Sequence, residues 1–214
     1  MKKIWIAGAG GFAAEVYSWL LQSFENGLEG KFIGFADDFC HESRILERLG
    51  LSSGECETQK IDNLCLDDDT YAICAVGHPA NKREVVSRLR EKGVKFMTLI
   101  HPSVTRGSNC RISEGCVICP KTVITSNVFL ENFVTVNVSC CIGHDVQIGS
   151  YSVLAPHAIL LGNSKIGNDV LVGANVVIHI GKTVGDNSTI GLGSVLVNDA
   201  KPGHTYFGNP AQKL

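Results

Sequence analysis

The sequence predicts an α/β unit built on a small parallel sheet, followed by a solenoid of short parallel strands. The first 99 residues alternate apolar strand-like runs with amphipathic helix patterns. From Ile100 onward an aliphatic residue returns every six positions. The change of period near Ile100 divides the chain into two domains, 1–99 and 100–214.

In the first domain, "KKIWIAGAG" reads as a buried strand that ends in glycines. "FAAEVYSWLLQSF" reads as a helix with an apolar stripe at Val16, Trp19 and Leu20. "KFIGFADD" is a second strand ending in acids, and "TYAICAVG" a third. The helix "NKREVVSRLREKG" and the strand "VKFMTLIHPS" complete the unit. Between Phe39 and Asp69 the pattern is weakest: "ESRILERLG" suggests a helix and "SSGECET" a loop.

In the second domain the step of six runs from Ile100 to Leu196 through seventeen positions, and all but Arg106 are Ile, Leu or Val. A period of six fits neither a helix nor an alternating strand. It fits a short strand plus a turn, three of which close one coil of eighteen residues, giving between five and six coils. Four positions after each aliphatic the side chain is usually small, as at Cys110, Cys116, Thr122, Cys140, Ser152, Ala158, Ser164, Ser188 and Ser194. The narrow interior of a coil explains this, and explains the three cysteines as filler.

Composition narrows the function. A net charge of −2 carries no basic signature for nucleic acid. No apolar run approaches the roughly 20 residues that span a bilayer. The start, "MKKIWIAGAGG", reads as a strand and not as a signal peptide, so the expected location is cytoplasmic. Nine cysteines at irregular spacing form no disulfide framework, and Cys116 and Cys119 lack the second half of a zinc signature.

Two places carry chemistry. Gly8-Ala9-Gly10-Gly11-Phe12-Ala13 follows a strand and opens a helix, where backbone approaches a ligand closely and phosphate is favoured. Asp37 and Asp38 end the second strand, where carboxylates can hold ribose or base edges. The same turn suits a sugar nucleotide, NAD, or no ligand at all. In the repeat, "CCIGHDVQIGSY" sets His144 beside Asp145 on a turn that faces outward. A carboxylate there orients the ring and raises its basicity, while a solvated turn histidine is the plain alternative. Asn137 lies seven residues before His144.

The order of the two parts, the unbroken hexads and "NVSCCIGHD" resemble the hexapeptide-repeat sugar acetyltransferases. Within them the likeness is to the branch that holds sialic acid O-acetyltransferases and nucleotide-linked 4-amino-sugar N-acetyltransferases. The resemblance implies a Rossmann-like first domain that binds the nucleotide sugar, and a left-handed parallel β-helix that binds acetyl-CoA. It implies His144 as general base, with Asp145 and Asn137 beside it. It carries sugar-nucleotide contacts onto Gly10, Gly11, Phe12, Asp37, Asp38 and Gly77, and acetyl-CoA contacts onto Gly162, Ala174 and Leu192. Some relatives place a second histidine near acetyl-CoA where this chain has Val153. The cofactor groove of the family lies between adjacent subunits, which implies a homotrimer. His144, His157 and His179 lack the paired spacing that trimeric β-helix carbonic anhydrases use for zinc, so no metal is expected. "YFGNPAQKL" is similar to the family's closing segment and is expected to cap the open end.

The leading reading is N-acetylation of a nucleotide-linked amino sugar, expected to be a 4-amino-4,6-dideoxy sugar, for bacterial glycan biosynthesis. O-acetylation of a sugar of the sialic acid type uses the same base and donor. A reading from another class is a non-enzymatic trimeric scaffold with a nucleotide-binding domain, against which the His-Asp pair argues. A NAD-dependent enzyme lacks the hydride-transfer domain that would follow the glycine turn.

Overall fold

The computed structural model describes residues 1–39, 44–52, 54–64 and 67–214. The chain forms two compact units, Met1–Leu99 and Ile100–Leu214.

The first unit runs β1 (Lys3–Ala7), α1 (Gly11–Glu25), β2 (Lys31–Ala36), α2 (Ile45–Leu49), β3 (Glu57–Gln59), β4 (Thr70–Cys74), α3 (Pro79–Glu91) and β5 (Lys95–Phe96). The sheet order is β3-β2-β1-β4-β5, with every pair parallel. Strand β1 is central, and Ile4, Trp5, Ile6 and Ala7 are all buried, which is why it reads as a continuous apolar run without alternation. Helix α1 buries Val16 and Leu20 together with Ala13 and Ser23, and leaves Trp19 half-buried. Pro79 sits in the first turn of α3, where its missing N–H costs nothing.

Two expectations change. Part of "SSGECET" is not loop, because Glu57–Gln59 pairs with Gly34–Ala36 as an edge strand. Three residues are too few to show a period of two. The close approach happens at Gly34, where an added Cβ would lie 2.1 Å from the Glu57 carbonyl oxygen. The run "VKFMTLIHPS" is also not one strand. It splits into Lys95–Phe96, which pairs with β4, and Leu99–Ile100, which belongs to a sheet of the solenoid. The expected helix in "ESRILERLG" is present as Ile45–Leu49, ended by Gly50 at φ 67°; its residues 42 and 43 lie outside the described residues.

The second unit is a left-handed parallel β-helix of two-residue strands. From Thr105 to Leu196 the strand pairings join a residue to the one eighteen positions on, as in Val123↔Cys141↔Ile159↔Val177↔Val195. The aliphatic columns fill the interior: Ile124, Ile142, Leu160, Ile178 and Leu196 are all buried. Arg106, the one break in the series, is exposed on the end strand Thr105–Arg106, which has a neighbour on one side only.

At the corners the residue three after the aliphatic turns left-handed, as at Asn109, Asn127, Asp145, Asn163, Asn175 and Asn187. Asn and Asp tolerate that conformation better than other side chains with a Cβ. The small residue that follows does more than fit. Cys116 Sγ donates to the Glu131 carbonyl at 3.0 Å, Cys140 Sγ to Ala155 at 3.3 Å and Ser152 Oγ to Gly167 at 2.7 Å. Each reaches a corner carbonyl of the next coil, so a buried donor is satisfied where an alanine would leave the carbonyl without it. Cys110 makes the same bond to Thr125, at 3.1 Å, but is half-buried at the open end.

The tail Thr205–Gly208 pairs in parallel with Thr189–Ile190 and folds back antiparallel on Ala211–Lys213. This hairpin covers an edge that would otherwise expose unpaired backbone.

Burial pushes the Cys74 thiol up to about 11 and the Cys140 thiol up to about 12, while Cys141 is exposed on the outer face. Maleimide treatment of the native protein at pH 8 should modify Cys141 and spare Cys74, Cys116 and Cys140, as read by peptide mass mapping. Unfolding in urea should make all four react.

Candidate active site

His144 and Asp145 stand on the corner between strands Cys141–Ile142 and Gln147–Ile148. The backbone there is pinned from both sides. The Asp145 N–H donates to the Ser126 carbonyl at 3.1 Å, and the Asn163 N–H donates to the His144 carbonyl at 2.8 Å. Asp145 takes φ 61°, as the corner requires. Its Oδ2 lies 2.7 Å from His144 Nδ1, and both side chains reach solvent. Asn127 bonds the other oxygen of the same carboxylate. The Asn127 amide first, and His144 second, hold the Asp145 carboxyl below the usual carboxylate range. An ionised carboxylate only accepts, so Nδ1 of the neutral ring carries the hydrogen and Nε2 keeps its lone pair.

The ring lies against Gly162, one coil further along. A Cβ there would meet His144 Nε2 at 2.5 Å and Cε1 at 2.6 Å. Gly143 likewise brings its backbone to 2.6 Å, measured from an added Cβ, of the Gly162 nitrogen. Among the described residues the Gly162 N–H makes no hydrogen bond. The ring that can take a proton thus packs against a residue whose backbone N–H is unpartnered, a pairing that suits proton removal near a developing oxyanion.

The other expected residues divide. Asn137 is at the preceding corner, and its Oδ1 accepts from the Val138 N–H at 2.7 Å, so its amide is turned to its own backbone and makes no hydrogen bond to His144 among the described residues. Gly162 shares the corner of His144. Ala174 and Leu192 share a different one, where the Gly193 N–H donates to the Ala174 carbonyl at 2.7 Å. Leu192 is 70% exposed. The outer face between these two ridges carries Cys141, Ile159, Val177 and Val195 and is apolar. Val153 is buried in the strand Val153–Leu154 of another sheet. His157 and His179 stand on separate corners, and among the described residues no three His, Cys, Asp or Glu side chains cluster as metal ligands.

In the first unit the glycine turn has two kinds of glycine. Gly8 is demanded by the backbone, with φ 115° and an added Cβ only 2.8 Å from the Ala75 carbonyl oxygen. Gly10 and Gly77 face open space, and an added Cβ on Gly11 would come within 3.3 Å of the Arg48 guanidinium. Phe12 packs edge-on to Trp19 at 6.1 Å. Asp37 accepts from the Ala9 N–H at 2.9 Å and the Phe39 N–H at 2.7 Å, so it braces the turn itself. Asp38 is bidentate to Arg88, at 2.6 and 3.3 Å, and Arg88 also bonds Asp62 at 2.8 Å. Asp37, Asp38, Phe39, Val76, Asn81 and Arg88 line a cavity of about 280 Å³.

Asn127, Asn109 and Arg88 escaped the sequence reading. Stepping back eighteen residues from Asp145 would have found the first two. Arg88 carries no such signal, because a charged residue on an amphipathic helix reads as solvated.

Residues 3–89 match the PglD N-terminal domain. The first unit belongs to that domain family. Over its full length the chain is 28% identical to the acetyltransferase domain of PglB from Neisseria gonorrhoeae FA1090, covering all of both chains with a TM-score of 0.86. It is 26% identical to WeeI from Acinetobacter baumannii AYE, again over all of both chains and with a TM-score of 0.86. The fold is shared with PerB from Caulobacter crescentus, at 20% identity over 100% of this chain and 98% of that one, with a TM-score of 0.78. The domain match covers the first unit, and the likeness to the PglB acetyltransferase domain extends over the second as well.

Gly162→Ala should displace the His144 ring and lower acetyl transfer by about 100-fold. Circular dichroism should stay as in the wild type.

The hydrogen bond from Arg88 holds the Asp38 carboxyl below its ordinary range. Asp38→Asn should therefore lower the urea midpoint at pH 7, by on the order of 1 kcal/mol for so exposed a pair. The stabilisation is present above the unfolded carboxylate value of about 3.9 and is lost as pH falls through the lower folded value. The two proteins should converge once the pH lies below that folded value.

Proposed function

We propose that the chain is an acetyl-CoA-dependent N-acetyltransferase of a nucleotide-linked amino sugar. The observation that carries it is the His144 ring, held through Nδ1 by Asp145 and laid against Gly162, whose backbone N–H has no partner among the described residues. The neutral amine attacks the thioester carbon, and the carbonyl π electrons move onto oxygen, which would accept a hydrogen bond from the Gly162 N–H. Nε2 takes the proton from the nitrogen of the tetrahedral intermediate. Collapse expels the CoA thiolate, which recovers a proton and leaves as the thiol. No covalent enzyme intermediate is needed.

The domain match and the PglB domain, which has also been solved with acetyl coenzyme A at 28% identity, support this reading. PerB, solved with CoA and GDP-perosamine, supports the class of acceptor. The sugar nucleotide would bind residues 1–99 at the open glycines Gly10 and Gly77 and beside Phe12, Asp37 and Asp38, with Gly11 in the same turn. Acetyl-CoA would lie along the β-helix over Gly162, Ala174 and Leu192, near Val153. The apolar outer face, with Val123, Ile159 and Leu192 exposed, supports assembly as a homotrimer whose subunits share this groove. Asn137 would then meet the site from a neighbouring copy or not at all. Acetyl-CoA and nucleotide sugars are both cytoplasmic metabolites, which supports a cytoplasmic location. No helix among the described residues is long and apolar enough to cross a membrane.

Thiol release from acetyl-CoA should appear with one of a panel of UDP-, dTDP- and GDP-linked 4-amino sugars, with an added mass of one acetyl group on the product. His144→Ala should lower kcat by about 100-fold or more. Turnover with sialic acid alone would overturn the N-acetyl reading, and an unaffected His144→Ala would overturn the base.

A further inference from the structure

We propose that Asn127 is a positioning residue for the His144–Asp145 pair, itself set by Asn109, and that this row of amides decides which imidazole nitrogen takes the substrate proton. The proposal rests on the reading of His144 as general base.

The row is continuous. Asn109 Nδ2 donates to Asn127 Oδ1 at 2.7 Å, Asn127 Nδ2 donates to Asp145 Oδ1, and Asp145 Oδ2 accepts from His144 Nδ1 at 2.7 Å. The three side chains Asn109, Asn127 and Asp145 stand one coil apart in one column of left-handed corner residues, with φ between 56° and 61°. The direction of every bond follows from the carboxylate. Asp145 only accepts, so Asn127 must present its NH₂, which turns its oxygen toward Asn109 and obliges Asn109 to present its own NH₂.

The amide acts on Asp145 in two ways. It occupies one carboxylate oxygen and so stops the half-exposed group from rotating away from the ring. It also hydrogen-bonds the ionised form, and is the largest cause of its lowered pKa. Both effects favour hydrogen on Nδ1 and a lone pair on Nε2. Arg111 and Lys165 are the charged side chains that line the same cavity, of about 650 Å³, as Asn109, Asn127 and Asp145. Among the described residues neither pairs with Asp145.

Asparagine also serves these corners simply by tolerating a positive φ. The test must separate that role from the positioning one. Gly181 fills the same column at φ 70°, so glycine holds this corner, and Asn127→Gly removes the amide while keeping the turn. Asn187, at φ 56° on another corner, provides the matched control Asn187→Gly.

The experiment reads the ¹⁵N resonances of the His144 ring in the free protein, assigned with His144→Gln, beside thiol release with the acceptor identified above. In the wild type the neutral ring should carry its hydrogen on Nδ1. In Asn127→Gly it should redistribute toward Nε2, with kcat down about tenfold, the size that outer partners of a working histidine carry. KM for acetyl-CoA should move by less than about twofold. Asn127→Asp sets carboxylate against carboxylate and should raise the pH at which the ring titrates, moving the rate profile to higher pH. Asn187→Gly should change neither readout. An unchanged tautomer and kcat in Asn127→Gly, or an equal loss in Asn187→Gly, would overturn the proposal. A fully active His144→Ala would overturn the base assignment alone, since the tautomer measurement needs no turnover.

Discussion

The hydrogen-bonded register of eighteen residues is the constraint on which the second unit depends. A strand of two residues has no stability of its own, and its backbone groups are met only by the coils on either side. The Thr125 N–H reaches the Ile142 carbonyl at 3.0 Å, and the Gly143 N–H reaches Leu160 at 2.7 Å. Because the strand partner through the coils is eighteen residues on, each side chain there has a fixed neighbour in the adjoining coil. The aliphatic core, the left-handed corners, the small bonded residues and the His144–Gly162 contact are columns of the same lattice. A slip of one residue would mismatch all of them together.

That lattice explains how a site can be assembled from so few parts. His144 projects from a corner whose backbone is fixed by Ser126 on one side and Asn163 on the other. The ring needs little more than a carboxylate to hold one nitrogen and a glycine to make room for it. Asp145 comes from a position where the coil asks for a residue of that kind, a left-handed corner, while Gly162 is small only because the His144 ring lies over it. Chemistry is added to structural positions with little disturbance of packing, since the pair faces outward and the core columns run on unbroken beneath it.

Much of this was legible in the sequence, because the hexad repeat is a direct image of the coil. The period, the core column, the interior small residues and the outward His-Asp pair can all be read one unit at a time. The amide row is written at three units, and at a step of six Asn109 and Asn127 look like ordinary turn residues. Asn137 stands out by its distance from His144 along the chain, yet distance along the chain is not contact, and its amide is spent on the Val138 N–H. In the first unit the apolar strands announced themselves, while Glu57–Gln59 did not, being short, polar and at the edge. Asp37 and Asp38 were visible as acids after a strand. Their engagement with Ala9 and Arg88 was not, because those partners are 28 and 50 residues away and no local period links them.

The three-sided coil also sets the unit in which such a chain can change length. Eighteen residues inserted beyond Gly162 and before the tail would lengthen the stack and leave every corner on its own face. Six residues inserted there would turn all that follows by one side of the triangle, so that the ridge of Ala174 and Leu192 would arrive on a different face from the one it now shares with His144. Between His144 and Gly162 even a whole coil is excluded, since it would put a new residue under the ring. Changes of length that keep this site intact are therefore whole coils added or lost away from one fixed pair.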